Sequence, residues 1–545
     1  MSDPLGGAAR RAAANLAGAA RCLGARAALP PRTGLWLVVR VSAELDELPP
    51  PPLPWSRETL SLLGVLTTLE RAAADPQVDG VLLRLSGASP GWSKVESLRR
   101  ALGRLREAGK TAVAYADSLD AGGLLLASAA ERVWLPESGR VSLVGLRLEG
   151  LFLRGLLDRL SVRPDVIRIG SHKSAGEHLT RDSMSPEERE QLEGLADDWF
   201  GALVEGIAAG RGLEASRVRD LVDRGPYTAR AAVEAGLADE CLYPDEIDAR
   251  LERLAPLPPP ERDGPRRVHR VEAAVYHALR ASDPGWRPLW RGLPRIAYVV
   301  ARGLIQRGHE GRGIASDALR GLLERLRREQ DVRGVVLRLE TQGGEPLASD
   351  LVWRHLGVLR REKPVVVSMG DVVASGGYYI AVGADAILAE ASTITGSIGV
   401  VGGKLDLSGL YARIGVGRDA VERGARAGLL SEARGFTPDE RRALRGDFEA
   451  AYRTFLERVA AGRDLPLAAV RGAAGGRIWS GARALRLGLV DALGGPLEAL
   501  AVVRRRAGLL RGERSLVEVH PRLRPFPGLR WLSRLAGAGP PGGEP

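Results

Sequence analysis

The chain of 545 residues repeats itself, and no other feature constrains its fold as tightly. GVLLRLSG at Gly80–Gly87 returns as GVVLRLET at Gly334–Thr341, 254 positions later. The same offset lays ADSLDAGGLLLASAA (Ala116–Ala130) on GDVVASGGYYIAVGA (Gly370–Ala384). A third pair, Pro226–Glu240 and Ile478–Ala492, aligns at an offset of 252, so only small insertions separate the copies. A period this long is outside the range of stacked short repeats, whose units run to roughly 20–50 residues. It predicts two tandem domains of one fold. Length agrees, because single hydrophobic cores stop growing at about 250–300 residues.

Within the first copy, LWLVVRV (Leu35–Val41), VDGVLLRLS and KTAVAYA read as buried strands, with the amphipathic stretch SKVESLRRALGRLREAG between the last two. A helix is expected to start from Ser56, with that serine as N-cap and Glu58 in the first turn. The alternation of strands and helices predicts an α/β fold with parallel pairing. The chain divides into an Arg/Ala-rich tail (1–34), an N-terminal domain (35–255), a Pro/Trp-rich linker (256–294), a C-terminal domain (295–512) and a C-terminal tail (513–545).

The copies differ where chemistry would be done. Ser375 in ASGGYY stands where the first copy has Ala121, and Lys173 in IGSHKSAGE stands where the second has Ala427. One copy has the serine without the lysine, the other the lysine without the serine. The β-branched run before Ser375 is expected to end near Ser368, followed by a small-residue turn and a helix from YYIAVGADA. A serine at such a junction sits where unpaired N–H groups and the helix dipole favour developing negative charge. An isolated ASGG is more often a plain helix cap. The Gly343–Gly344 pair after a core strand, with Gly376, offers N–H groups for an oxyanion hole, although a bare Gly–Gly turn needs no function.

Charge narrows the choice of base. The net charge of +11 is almost all arginine: only Lys94, Lys110, Lys173, Lys363 and Lys404 are lysines among 78 basic residues. Arginine cannot be deprotonated in a protein, so Lys173 is one of few amines able to accept a proton. Burial in an apolar cleft would bring its pKa down from about 10.4. The arginines are dispersed and no nucleic-acid motif accompanies them, so they read as solvated surface and no nucleic-acid partner is expected. No run of 18 apolar residues is present, so no transmembrane anchor is expected; the Arg-rich N-terminus reads either as a peripheral membrane contact or as a frayed tail. Cys22 and Cys241 have neither disulfide-framework nor metal-ligand spacing, and no metal or nucleotide motif appears. No cofactor is expected. His172, His178 and His355 stand in no recognisable triad motif, and Ser375 has no GxSxG elbow.

On these residues the chain resembles signal peptide peptidase A (protease IV) in its long, duplicated bacterial form. ASGGY at Ala374–Tyr378 and TGSIG at Thr395–Gly399 match the family's nucleophile motif, and Gly170–Ser174 matches its G-x-x-K-S base motif. The resemblance implies two tandem ClpP/crotonase-like domains of repeated ββα units, Ser375 as nucleophile and Lys173 as general base. It further implies a homo-oligomer acting on apolar peptides, such as remnant signal peptides, and a bacterial protein that is membrane-associated or soluble in the cytoplasm or periplasm. Ser174 or Ser397 is expected to orient the lysine, and Asp371 to orient backbone. Two departures stand out: the family's Asn–Ser–Pro–Gly–Gly loop reads Glu340, Thr341, Gln342, Gly343, Gly344 here, and the family's N-terminal membrane anchor has no counterpart in the sequence, which leaves open a soluble or peripherally bound form acting on other peptides. A non-catalytic peptide-binding scaffold of the same fold is the first rival reading, motivated by that loop. An acyl-CoA enzyme of the crotonase type is the second, and it gives no reason to divide Ser375 and Lys173 between copies.

Overall fold

The computed structural model describes residues 34–48, 60–254, 268–281, 293–311, 313–509 and 515–521, with single positions 12 and 16. Ser56, Glu58 and most of the expected N-terminal tail lie outside the described residues. The described helix of that region, α1 (Leu62–Ala74), is capped by Ser61, whose hydroxyl accepts from the Gly64 N–H at 3.3 Å.

The strands of the first copy that organise the site are β1 (Leu35–Val41), β2 (Val78–Leu85), β3 (Thr111–Ala116), β4 (Arg132–Leu135), β5 (Arg163–Ile169), β6 (Glu240–Cys241) and β7 (His269–Glu272). All but β5 form a parallel sheet in the order β7-β1-β2-β3-β4-β6. Its helices include α2 (Trp92–Glu107), α3 (Ala121–Ala127) and α4 (Pro186–Arg211). The second copy supplies β8 (Arg295–Arg302), β9 (Val332–Thr341), β10 (Val365–Ala374), β11 (Ala386–Ala389), β12 (Ile394–Gly396), β13 (Val400–Asp406), β14 (Ile478–Ser480), β15 (Ala492–Leu493) and β16 (Leu516–His520). Its sheet runs β14-β12-β10-β9-β8-β16, with β11 beside β10 and β15 beside β11. Only the β12–β14 pairing in it is antiparallel.

Each copy thus carries the same parallel order, and each closes with a strand laid beside its own first strand. Those closing strands, β7 and β16, fall inside the stretches that composition marks as linker and tail. The duplication extends to helix ends. Helices α4 and α6 (Pro438–Arg463) are both 26 residues long, and each has proline in its first turn behind a hydroxyl cap. Ser185 accepts from the Glu188 N–H at 3.1 Å; Thr437 Oγ1 accepts from the Glu440 N–H at 3.2 Å while the Thr437 N–H donates to the Glu440 carboxylate at 2.9 Å, a full capping box.

Strand β8 shows how the copies pack. Ala297, Val299 and Ala301 face the second copy's own core, while Ile296, Tyr298 and Val300 face a cluster shared with the first. Side chains alternate across a strand, so a sheet buried on both faces needs the uninterrupted apolar run seen here. The shared cluster runs from Leu37, Val81 and Ala114 of the first sheet to Tyr298, Val336 and Val366 of the second. A buried ion pair crosses it: Arg338 on β9 donates to Glu47 at 2.8 Å, with side chains 0% and 2% exposed. Arg338 also donates to Ser368 Oγ at 3.0 Å and to the Met369 carbonyl. Among the described residues, no helix is long and apolar enough to cross a membrane.

Removing one member of a buried pair strands the other's charge. Glu47→Leu alone is therefore expected to cost about 3–5 kcal/mol in urea unfolding, and adding Arg338→Met should recover most of that loss.

Candidate active site

The lysine reaches the second domain on a strand that has left its own sheet. β5 pairs antiparallel with β13 in seven steps, from Ile169 opposite Val400 to Arg163 opposite Asp406. Since β13 follows the turn at Ser397, this register lays the segment from Gly170 to Lys173 against that turn. Two further backbone bonds fix it: His172 N–H to the Gly475 carbonyl at 2.9 Å, and Gly476 N–H to the Ile398 carbonyl at 2.8 Å. The approach leaves no room for side chains. A Cβ on Gly170 would lie 2.5 Å from the Gly475 carbonyl, and one on Gly476 would lie 2.5 Å from Lys173 Cβ. Both glycines also hold positive φ, 114° and 84°.

Lys173 is 5% exposed. Its Nζ lies 2.9 Å from each of three oxygens: Ser375 Oγ, Ser397 Oγ and the Ser397 carbonyl. Burial disfavours the charged amine and pushes its pKa down to about 8. Ser397 holds φ of 52° while its N–H donates to the Arg477 carbonyl at 2.8 Å; with the backbone so fixed, its two oxygens both face the lysine.

Ser375 stands between β10 and the six-residue helix α5 (Gly376–Ala381) with φ of 54° and ψ of −120°. Such a conformation costs a non-glycine residue on the order of 1–3 kcal/mol and persists only where surroundings impose it. Its hydroxyl makes no capping bond. It meets Lys173 instead, so the plain-cap reading of ASGG does not describe this serine. The strand before it does not end near Ser368 but continues to Ala374. Between Leu339 opposite Met369 and Thr341 opposite Val373, Gly370, Asp371 and Val372 face the single residue Glu340, which is a β-bulge. Gly370 and the neighbouring polar Asp371 break the apolar run, which is why the sequence read as a turn there.

The Gly343–Gly344 loop packs directly on the serine. A Cβ on Gly343 would lie 2.8 Å from Ser375 Cβ, and one on Gly376 would lie 3.3 Å from the Gly344 nitrogen. Ile305 donates to the Gly343 carbonyl and accepts from the Glu345 N–H, both at 2.9 Å, forming a parallel bridge opposite Gly344. In such a bridge the central residue's own N–H points away from the partner strand, so the Gly344 N–H is not taken up by Ile305. The Gly343 N–H is engaged by Thr341 Oγ1 at 3.0 Å.

Of the supporting residues, Ser397 is brought to Lys173 and two others are not. Ser174 Oγ accepts from Gln191 of α4 at 3.1 Å, and Gln191 Oε1 accepts from the Ile478 N–H at 3.1 Å, tying the lysine segment to β14. Asp371 Oδ1 accepts from the Ser93 N–H at 2.8 Å, capping α2 of the first domain from the second. The Nδ1 atoms of His172, His178 and His355 meet Ser171 Oγ, the Leu151 carbonyl, and the Leu351 carbonyl together with Arg320 Nε, respectively, and none meets Ser375. Gln191 and the Gly475–Gly476 pair escaped the sequence reading; the Gly–Gly dipeptide in AAGGRIW was the one local sign.

Residues 104–257 and 358–510 each match Peptidase family S49. The first match contains Lys173 and the second Ser375. The chain belongs to peptidase family S49, carries its domain twice, and is a serine peptidase. It is 34% identical to "Serine protease SPPA, chloroplastic" of Arabidopsis thaliana over 84% of this chain and 68% of that protein. It is 30% identical to "Protease 4" of Salmonella typhi over 81% of this chain and 71% of that protein. Among solved structures, a ClpP1 variant from Listeria monocytogenes overlays 37% of this chain and 94% of its own, at 14% identity and a TM-score of 0.25.

Gly476→Ala places a methyl against the lysine backbone in a positive-φ position, so a loss of about 1–3 kcal/mol is expected in chemical unfolding. Gly472→Ala, in open space within a helix, should instead be neutral or gain up to about 1 kcal/mol.

Proposed function

We propose that the protein is an endopeptidase working through a Ser375–Lys173 dyad, cutting apolar peptides such as signal-peptide remnants through an acyl-enzyme. The observation that carries the reading is the 2.9 Å contact between Lys173 Nζ and Ser375 Oγ in a buried setting that favours the neutral amine. Neutral Lys173 takes the hydroxyl proton as Ser375 Oγ attacks the scissile carbonyl carbon. The N–H groups of Gly376 and Gly344 receive the oxyanion, and Gly343 keeps the loop close enough for them to do so. As the tetrahedral intermediate collapses, the Lys173 ammonium gives its proton to the leaving amine. A water molecule then enters, loses a proton to Lys173 and attacks the ester carbon. Collapse returns Ser375 Oγ with that proton and releases the new carboxylate. Ser397 holds the amine in line through both its oxygens.

The substrate class rests on family membership and on the ASGGY and TGSIG motifs. Assembly into a homo-oligomer and peripheral membrane contact belong to the same proposal. They are supported by apolar side chains left in solvent, such as Leu151, Val421 and Leu430 at 78%, 87% and 82% exposure.

Activity requires the deprotonated amine, so kcat/KM should rise about tenfold per pH unit between about pH 7 and 8 and level off above 8. Ser375→Ala and Lys173→Ala should each cost at least about 10³-fold in kcat on an apolar peptide. Lys173→Arg should fail equally, because guanidinium stays protonated. Retained activity in any of these variants would place the chemistry elsewhere.

A further inference from the structure

The bulge before Ser375 has to be held by something. Gly370, Asp371 and Val372 have left the β9 ladder, and their polar groups need partners inside the protein. The Asp371 N–H donates to Glu340 Oε2 at 2.7 Å and the Val372 N–H to Glu340 Oε1 at 3.2 Å. On the other side, Thr393 Oγ1 donates to the Gly370 carbonyl at 2.8 Å. The carboxylate lies so close over the bulge that a Cβ on Gly370 would overlap Glu340 Oε2. Glu340 also opens the oxyanion loop, and its carbonyl accepts from the Gly303 N–H at 2.9 Å. One residue therefore joins the strand that ends in Ser375 to the loop that carries Gly344.

We infer that Glu340 is a positioning residue: its carboxylate clamps the bulged strand that presents Ser375 to Lys173. The inference rests on the dyad reading above. As a carboxylate, Glu340 offers an acceptor to both N–H groups; once protonated, one oxygen carries a hydrogen and the clamp loosens. Its ionisation is set by what faces it. Asp371 of β10 and Glu47 after β1 oppose the charge, and Arg338 of β9 favours it. Asp46, Lys94 of α2 and Arg302 of β8 line the same cavity of about 490 Å³. Burial, then the Asp371 charge, push the carboxyl up to about 7. The clamp thus holds above neutrality and fails below it, adding an ionisation to that of Lys173.

The test is the rate at which a fluorophosphonate probe labels the full-length protein between about pH 5.5 and 9.5, with Ser375→Ala as blank. For the wild type, the logarithm of the rate should fall with slope near 1 from about pH 8 to 7, and an additional drop of about tenfold should appear between about pH 7 and 6 as Glu340 is protonated. Glu340→Gln should label about tenfold more slowly at pH 9, as small misplacements of reacting atoms do, and its acid limb should have slope near 1. Asp371→Asn keeps an oxygen for the α2 cap and removes the like charge, so its lower inflection should move to more acid pH by about one unit. This second variant carries the test if Glu340→Gln proves unfolded by circular dichroism. A Glu340→Gln profile matching wild type in rate and slope overturns the inference, as does an unmoved inflection in Asp371→Asn. A wild type that is not labelled at Ser375 overturns the dyad reading and this inference with it.

Discussion

The antiparallel pairing of β5 with β13 is the interaction on which the site depends. Neither copy holds both reacting groups, so the lysine must cross to the serine's domain and arrive in register. Side chains alternate along a strand, and a slip of one residue would turn the whole segment over. Seven paired residues set that register, and the Gly170, Gly475 and Gly476 contacts fix the last steps before Lys173. The shared apolar core and the Arg338–Glu47 pair hold the two sheets in the orientation that makes this pairing available. Asp371 serves the same end from the opposite direction, capping a first-domain helix from the strand that leads to Ser375.

Energetically the site is built against the local preferences of its residues. Ser375 and Ser397 both hold positive φ, and Lys173 is an amine buried with hydroxyl and carbonyl partners in place of a carboxylate. Each costs folding free energy, and each would relax if the surroundings allowed it. The surroundings do not: the serine backbones are tied to the Gly396 and Arg477 carbonyls, and the lysine segment to Gly475. In a chain whose basic residues are almost entirely arginine, a lysine at this position supplies what guanidinium lacks, a proton that burial can remove.

Much of this was legible in the sequence because it is written in covalent spacing. The offset of 254 exposed the duplication, and the Ser375/Ala121 and Lys173/Ala427 substitutions exposed the divided pair. The parallel α/β architecture followed from the alternation of short apolar strands with amphipathic helices. What could not be read depends on register between distant segments. Gln191 and Gly476 belong to the site only because α4 and the Gly475–Gly476 turn are brought there by contacts more than 280 residues apart in the first case. Glu340 read as a departure from a familiar loop, and its contact with the Asp371 and Val372 N–H groups gives that residue a structural reason. Strands β7 and β16 are four and five residues long beside Pro-rich stretches, too short for periodicity to reveal. The continuation of β10 past Ser368 was hidden by the bulge itself.

The claim at the centre is that Lys173 is a neutral amine at the pH where the serine is attacked. The chain has five lysines, so a protein labelled with ε-¹³C-lysine would show few enough resonances to follow each through a pH titration. The account predicts that one titrates near 8, that it is absent from Lys173→Met, and that it moves when Ser375 is phosphonylated. A Lys173 resonance titrating near the ordinary value of about 10.4, indifferent to the state of Ser375, would contradict it.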